Sequence, residues 1–175
     1  MYDGWQQVWL DIDPAVQPDV LCDSREMHTL PPATYDAIYC SHNLEHYYRH
    51  DVKKVLAGFH HVLKDNGFVH IRVPDIGEVM RTFVKNDMDI NDVLYVSAAG
   101  PITVQDVIYG WGLEIERSGH DFFAHKTGFT ETSLIATLME AEFYQIFSGQ
   151  DSLEVYAIAF KDDPTQAQLD ELGLN

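Results

Sequence analysis

Apolar residues recur along this chain in two rhythms, and the two clearest alternating runs bracket a stretch with helical period. Tyr35 to Cys40 (YDAIYC) and Phe68 to Val73 (FVHIRV) are short, β-branched or aromatic, and bounded by turn formers, so both read as strands. Between them Val52, Val55, Leu56, Phe59, Val62 and Leu63 share one stripe. That spacing predicts an amphipathic helix from about Asp51 to Leu63, with Asp51 as N-cap and Gly67 just beyond the end. Strand, helix and strand within about forty residues predict a right-handed βαβ crossover. The residues after each strand, Ser41 to His46 (SHNLEH) and Asp75, then face one crevice at the carboxyl rim of a parallel sheet, where open α/β sheets bind ligands.

Upstream, Gln7 to Ile12 (QVWLDI) and Asp19 to Cys22 (DVLC) read as strands ending in acids, with Pro14 and Pro18 between them and no room for a crossover helix. Downstream, Ile76, Val79, Met80, Phe83 and Val84 predict a helix over about Gly77 to Lys85. From 86 to 128 the period weakens. Val104, Val107, Ile108 and Trp111 suggest one helix among glycines, aromatics, His120, Asp121 and His125, as expected of a lid or substrate-side insertion. Thr130 then caps a helix carrying Leu134, Ile135, Leu138 and Met139 on its inner face, and Phe143–Phe147 and Leu153–Phe160 form a hairpin joined by SGQDS. Residues 1–161 read as a single domain and 162–175 as a polar, acidic, frayed tail.

Charge narrows the partners. Eleven Lys and Arg against 28 Asp and Glu give a formal net charge of −17 with no basic patch, so neither a nucleic acid nor an anionic membrane is expected. A small-molecule substrate fits better. Cys22 and Cys40 lie in expected buried strands and make no metal-type pair, which suits a reducing, cytoplasmic setting. No run is long and apolar enough for a membrane span, and MYDGWQQVW lacks the basic and apolar regions of a signal peptide.

The segments VWLDIDP, DVLCDSREM, YDAIYCSHNLEHYYRHDVKKVLAGFHHVLKDNGFVHIRVPD and HKTGFTETSLIATLMEAEF, in this order, resemble the class I S-adenosylmethionine-dependent methyltransferases. The nearest branch has a strand-four segment like SHVLEH followed by a loop like LKPGG. The resemblance spans about residues 7 to 160 and implies an α/β, Rossmann-like sheet with a closing antiparallel hairpin. It also implies S-adenosylmethionine as cofactor and methyl transfer to a small-molecule or carbohydrate-type acceptor. Carried over by position, Asp11 would accept hydrogen bonds from both ribose hydroxyls, with Asp13 the alternative. Asp23 would meet the adenine amino group with Ser24 alongside, and Ser41 and His42 would pass under the methionyl part. An Asp after a strand is also an ordinary turn former or helix cap.

One motif departs from the family. Nothing like LNLGSG, the first strand and glycine-rich loop, precedes WLDIDP, where Gly4 stands alone. The expected sheet therefore lacks its first strand. Two readings stay open: a cofactor site completed by a partner, as in a homo-oligomer, or a non-catalytic methyltransferase-like scaffold.

His42, Glu45 and His46 spell H-x-x-E-H, which matches an inverted zinc-protease motif, but at a strand-to-helix junction rather than inside a helix. Some methyltransferases hold a metal with an E-x-x-E-H version of this segment. Here His42 replaces the first Glu, so no metal ligand is assigned, Glu45 is read as a helix cap and His46 as a packing residue. If a base removes a proton from the acceptor, the candidates are His46, His120 and His125. Tyr47, Tyr48, Trp111, Phe122 and Phe123 suit either an acceptor pocket or the core.

Overall fold

The structure, a computed structural model, describes Tyr2 and residues 4–174. It opens with two short parallel strands, β1 (Leu10–Asp11) and β2 (Val20–Leu21). Each is cut short by its terminal acid. Asp13 accepts from the Ala15 amide at 2.8 Å to start the turn Pro14–Val16, and Asp23 accepts from the Arg25 amide at 2.9 Å to start the turn Ser24–Thr29. The longer strands expected over Gln7–Ile12 and Asp19–Cys22 shrink to two residues each because, among the described residues, the pair has no further strand on either side. Cys22 lies just past β2 and is only partly buried.

Next come β3 (Tyr35–Ser41), α1 (Arg49–Val62) and β4 (Leu63–Pro74), with β3 parallel to β4 and Cys40 opposite Ile71. The crossover pattern is as expected, but its details differ. Tyr48 takes the N-cap position, and Asp51 sits in the first turn, buried, accepting from Lys54 Nζ at 2.7 Å where the helix dipole favours an anion. Gly67 is not a helix terminus, because α1 passes straight into β4. Val52, Val55, Leu56, Phe59 and Val62 are buried against Val69, Ile71 and Val73 of β4, together with Leu134 and Leu138 of α5 (Glu131–Glu140). That apolar layer is the main core. Within α5 the buried stripe is narrower than its sequence suggests, with Ile135 partly buried and Met139 exposed.

After α2 (Ile76–Lys85), capped by Asp75, residues 93–118 form a hairpin of β5 (Val93–Ser97) and β6 (Gly100–Thr103), then α3 (Val104–Tyr109) and α4 (Gly112–Ser118). Val104 and Val107 bury themselves with Val79 of α2, giving the insertion a small core of its own. β7 (Gln145–Asp151) and β8 (Glu154–Phe160) close the sheet in the order β3-β4-β8-β7. The hairpin turns at Ser152–Leu153 rather than through SGQDS. Gly149 stays in the strand opposite Tyr156, since an added Cβ there would stand 2.5 Å from the Tyr156 hydroxyl.

The expected frayed tail is instead α6 (Gln166–Leu172), started by a Thr165–Gln168 capping box. Leu172 is buried with Phe68, Ile158 and Phe160, and Leu169 packs beside them. A polar composition hid two leucines at i, i+3, enough to dock one turn on the sheet face opposite α1.

Two glycines permit close contacts. A Cβ on Gly58 of α1 would lie 2.8 Å from Met27 Cβ, where the turn 24–29 crosses the helix. Gly58→Ala is expected to lower stability by about 1–2 kcal/mol, overpacking of roughly 1–3 kcal/mol outweighing a helix gain of about 1 kcal/mol, read as a lower urea midpoint. Gly110 has φ +98, and a Cβ there would fall 2.0 Å from the Phe123 carbonyl oxygen. Gly110→Ala should raise hydrogen exchange at the Trp111 and His125 amides, which bond to Phe123 and Tyr109, while β4 amides stay protected.

Candidate active site at the carboxyl ends of β3 and β4

β3 ends at Ser41, and the chain turns sharply there. His42 adopts φ 49°, in the left-handed region, with its amide bonded to the Arg72 carbonyl at 2.9 Å. A short turn, Leu44–His46, then leads into α1. His42 lies between two acids: its Nε2 is 2.9 Å from Glu154 Oε1 and its Nδ1 is 3.5 Å from Glu45 Oε1. Glu45, with Glu154 behind it, raises the His42 pKa against the opposing effect of burial. Burial works against ionisation of Glu154, yet Arg72, at 3.0 Å through Nε, and His42 hold its carboxyl below the usual range.

Glu45 is 1 % exposed, and neither of its carboxylate oxygens has a hydrogen-bond partner. It does not cap α1, contrary to the sequence expectation, because Tyr48 occupies the N-cap position. The backbone carbonyl of Glu45 accepts from the Lys126 and Thr127 amides at 2.7 and 3.2 Å, stitching the end of the insertion onto the turn after β3. That stitch delivers His125. His46 and His125 meet edge to face with ring centroids 4.9 Å apart. His46 Nδ1 faces the Ala124 carbonyl at 3.2 Å, and His125 Nδ1 faces the Val107 carbonyl at 2.8 Å. A carbonyl only accepts, so each Nδ1 carries the proton and each Nε2 keeps its lone pair. Burial holds the His46 imidazole below its ordinary pKa despite Glu45 nearby. One potential ligand atom from each of Glu45, His46 and His125 lies within 4.8 Å of the others.

His120 lies elsewhere, on an exposed turn stacked on Phe122 with centroids 5.1 Å apart. Trp111 and Phe123 touch edge to face at 6.2 Å, and with Tyr48 and Phe122 they remain exposed rather than lining an enclosed pocket or the core. Tyr47 is partly buried beside Ser24, Asp23 and Asn43, which joins the loop after β2 to the loop after β3. Asp11 Oδ1 accepts from the Asp13 amide at 2.8 Å, and no hydrogen bond reaches Asp11 Oδ2 among the described residues. Asp23 is gripped by the Arg25 guanidinium, at 3.0 Å from Nε, which lowers its pKa. Ser24 is buried and Ser41 partly so. A cleft of about 540 Å³, lined by Trp5, Asp36, Asn66, Phe68 and Glu171 among others, opens at the opposite ends of β3 and β4 and holds none of these groups.

The sequence offered His46 and His125 as separate candidates and gave Glu45 a capping role. Their convergence depends on the path of the insertion, which the sequence pattern over residues 86–128 does not report.

Residues 7–71 match the methyltransferase domain family. No curated protein matches the chain. Among solved structures, a SAM-dependent methyltransferase from Archaeoglobus fulgidus aligns with TM-score 0.53 and 12% identity over 86% of this chain and 73% of its own. The 1,6-didemethyltoxoflavin-N1-methyltransferase of Burkholderia thailandensis, solved with S-adenosylhomocysteine, aligns with TM-score 0.50 and 19% identity over 88% of this chain and 60% of its own. A possible exported protein from Bordetella parapertussis aligns with TM-score 0.54 and 15% identity over 88% of this chain, which spans only 52% of that protein. Residues 7–71 thus resemble the methyltransferase domain family, and the chain shares its fold with S-adenosylmethionine-dependent methyltransferases of known structure.

Proposed function

We propose that the protein transfers a methyl group from S-adenosylmethionine to an oxygen or nitrogen nucleophile on a small-molecule or carbohydrate-type acceptor. The observation that carries this reading is the His46–His125 pair just past the carboxyl end of β3, each ring held through Nδ1 by a backbone carbonyl, which leaves Nε2 as the nitrogen that would take a proton. The cofactor supplies an electrophilic methyl on a sulfonium, so that the carbon–sulfur bond breaks as the new bond forms. The protein's share is to bind, align and accept the acceptor's proton at one Nε2.

The strand ends suit the cofactor in part. Asp11 Oδ2, which no hydrogen bond reaches among the described residues, would accept from a diol, and Ser24, Ser41 and His42 would contact the rest of the cofactor. Asp23 would share its carboxylate between Arg25 and an adenine amino group. His120, on its exposed turn, is left out of the proposed chemistry. A non-catalytic scaffold is the second reading, favoured by the exposed Val8, Trp9, Ile12 and Leu21 around β1 and β2.

Calorimetric titration with S-adenosylhomocysteine separates the two. Saturable binding, weakened roughly tenfold or more by Asp11→Ala, is expected, since a charge-assisted contact is worth about 1.5–3 kcal/mol. Asp23→Ala is expected to cost less, because it frees Arg25 as well as losing the adenine contact. No binding up to millimolar ligand would favour the scaffold. In an acceptor screen, His46→Ala or His125→Ala should slow methyl transfer by about 10²–10⁴-fold. Because burial lowers the His46 pKa, activity should persist below pH ~6.5 before protonation removes it.

A further inference from the structure

We infer that Glu45, His46 and His125 bind a divalent transition-metal cation. The inference concerns the same site as the methyl-transfer reading but gives His46 and His125 a role other than that of base, and its test does not require methyl transfer.

The buried Glu45 carboxylate is the first reason. A carboxylate removed from water is strongly disfavoured unless it is paired, hydrogen-bonded or coordinated, and both oxygens of Glu45 lack a hydrogen-bond partner. His42 Nδ1 lies at ion-pair distance, 3.5 Å, from Oε1 alone and is shared with Glu154 through its other nitrogen, which leaves Oε2 without a hydrogen bond. The second reason is how the two imidazoles are held. Each is tied through Nδ1 to a backbone carbonyl, the support that fixes tautomer and ring orientation in metal-ligating histidines. The third is convergence, with ligand atoms of all three residues within 4.8 Å of one another.

Four-coordinate zinc, with bonds of about 2.0–2.1 Å, sets its donors about 3.4 Å apart. Side-chain rotations that draw the donors together by up to about 1.4 Å close the difference. Two imidazoles and one carboxylate suit zinc, cobalt, nickel, iron or manganese, and not magnesium or calcium, which take oxygen donors. Three protein ligands leave a position for water or an acceptor oxygen. The ligands also come from two parts of the fold. Glu45 and His46 belong to the turn after β3, and His125 to the end of the insertion, so the cation would tie the insertion to the sheet.

The full chain, stripped with a chelator and free of any affinity tag, is titrated with Co²⁺ by visible absorption, with Zn²⁺ as competitor. The expected result is one equivalent bound, with ligand-field bands that zinc displaces, and at least about 100-fold weaker binding in Glu45→Gln and His125→Ala. Thermal melts of the metal-free proteins check folding. Zinc should raise the melting temperature of the wild type and leave Glu45→Gln unmoved. No cobalt binding, or equal binding in the variants, would overturn the site. Cobalt binding without S-adenosylhomocysteine binding would keep the metal site and remove the transfer reading, and the reverse would remove the metal site alone.

Discussion

The rest of the structure depends on β4 being hydrogen-bonded along both edges, parallel to β3 and antiparallel to β8. A strand held on both sides cannot slip by one residue without moving every side chain to the other face. That fixes Val69, Ile71 and Val73 under α1 and Phe68 under α6. It also fixes the height at which β3 ends, because Ser41 stands opposite Arg72 and the His42 amide bonds to the Arg72 carbonyl. The left-handed turn at His42 follows. The chain leaves the sheet there and drops Glu45 into a space that water does not reach.

The rim is then a question of charge balance. Arg72 and Glu154 compensate one another, and His42 leans on both Glu154 and Glu45. His46 and His125 add no charge while their Nε2 atoms stay unprotonated. One buried carboxylate is left with no hydrogen bond, beside two imidazoles whose protons point away from each other's lone pairs toward carbonyls. In a chain with 28 acids, most carboxylates simply face water. Glu45 differs because burial removes solvent as a partner. A base and a metal ligand make different use of the same Nε2 atoms, so the two roles proposed for His46 and His125 are chemically exclusive at any moment.

The insertion matters through its backbone. Its amides at Lys126 and Thr127 bond to the Glu45 carbonyl, and its Val107 carbonyl orients His125. Gly110 permits the close pass between the end of α3 and residues 123–125. The aromatic residues Trp111, Phe122 and Phe123, attractive in the sequence as pocket walls, lie on the outer side of this arrangement. Residues with no distinctive chemistry position the site, while the conspicuous ones decorate its edge.

The sequence by itself determined the β3-α1-β4 unit, the closing hairpin and the placement of SHNLEH at a strand end, because period-2 and period-3.6 patterns report local burial directly. It also carried the family likeness over residues 7–71. It misread α6, whose two inward leucines sit in a polar stretch, and it extended β1 and β2, since a strand's length depends on neighbours that the pattern does not see. Only the tertiary structure decided that Asp23 is held by Arg25, that Glu45 caps nothing, and that His125 joins His46 while His120 does not. The Asp23–Arg25 grip is local but set by side-chain geometry. The His46–His125 contact joins segments far apart in the chain and depends on how the insertion folds back over the rim, a path that neither composition nor periodicity encodes.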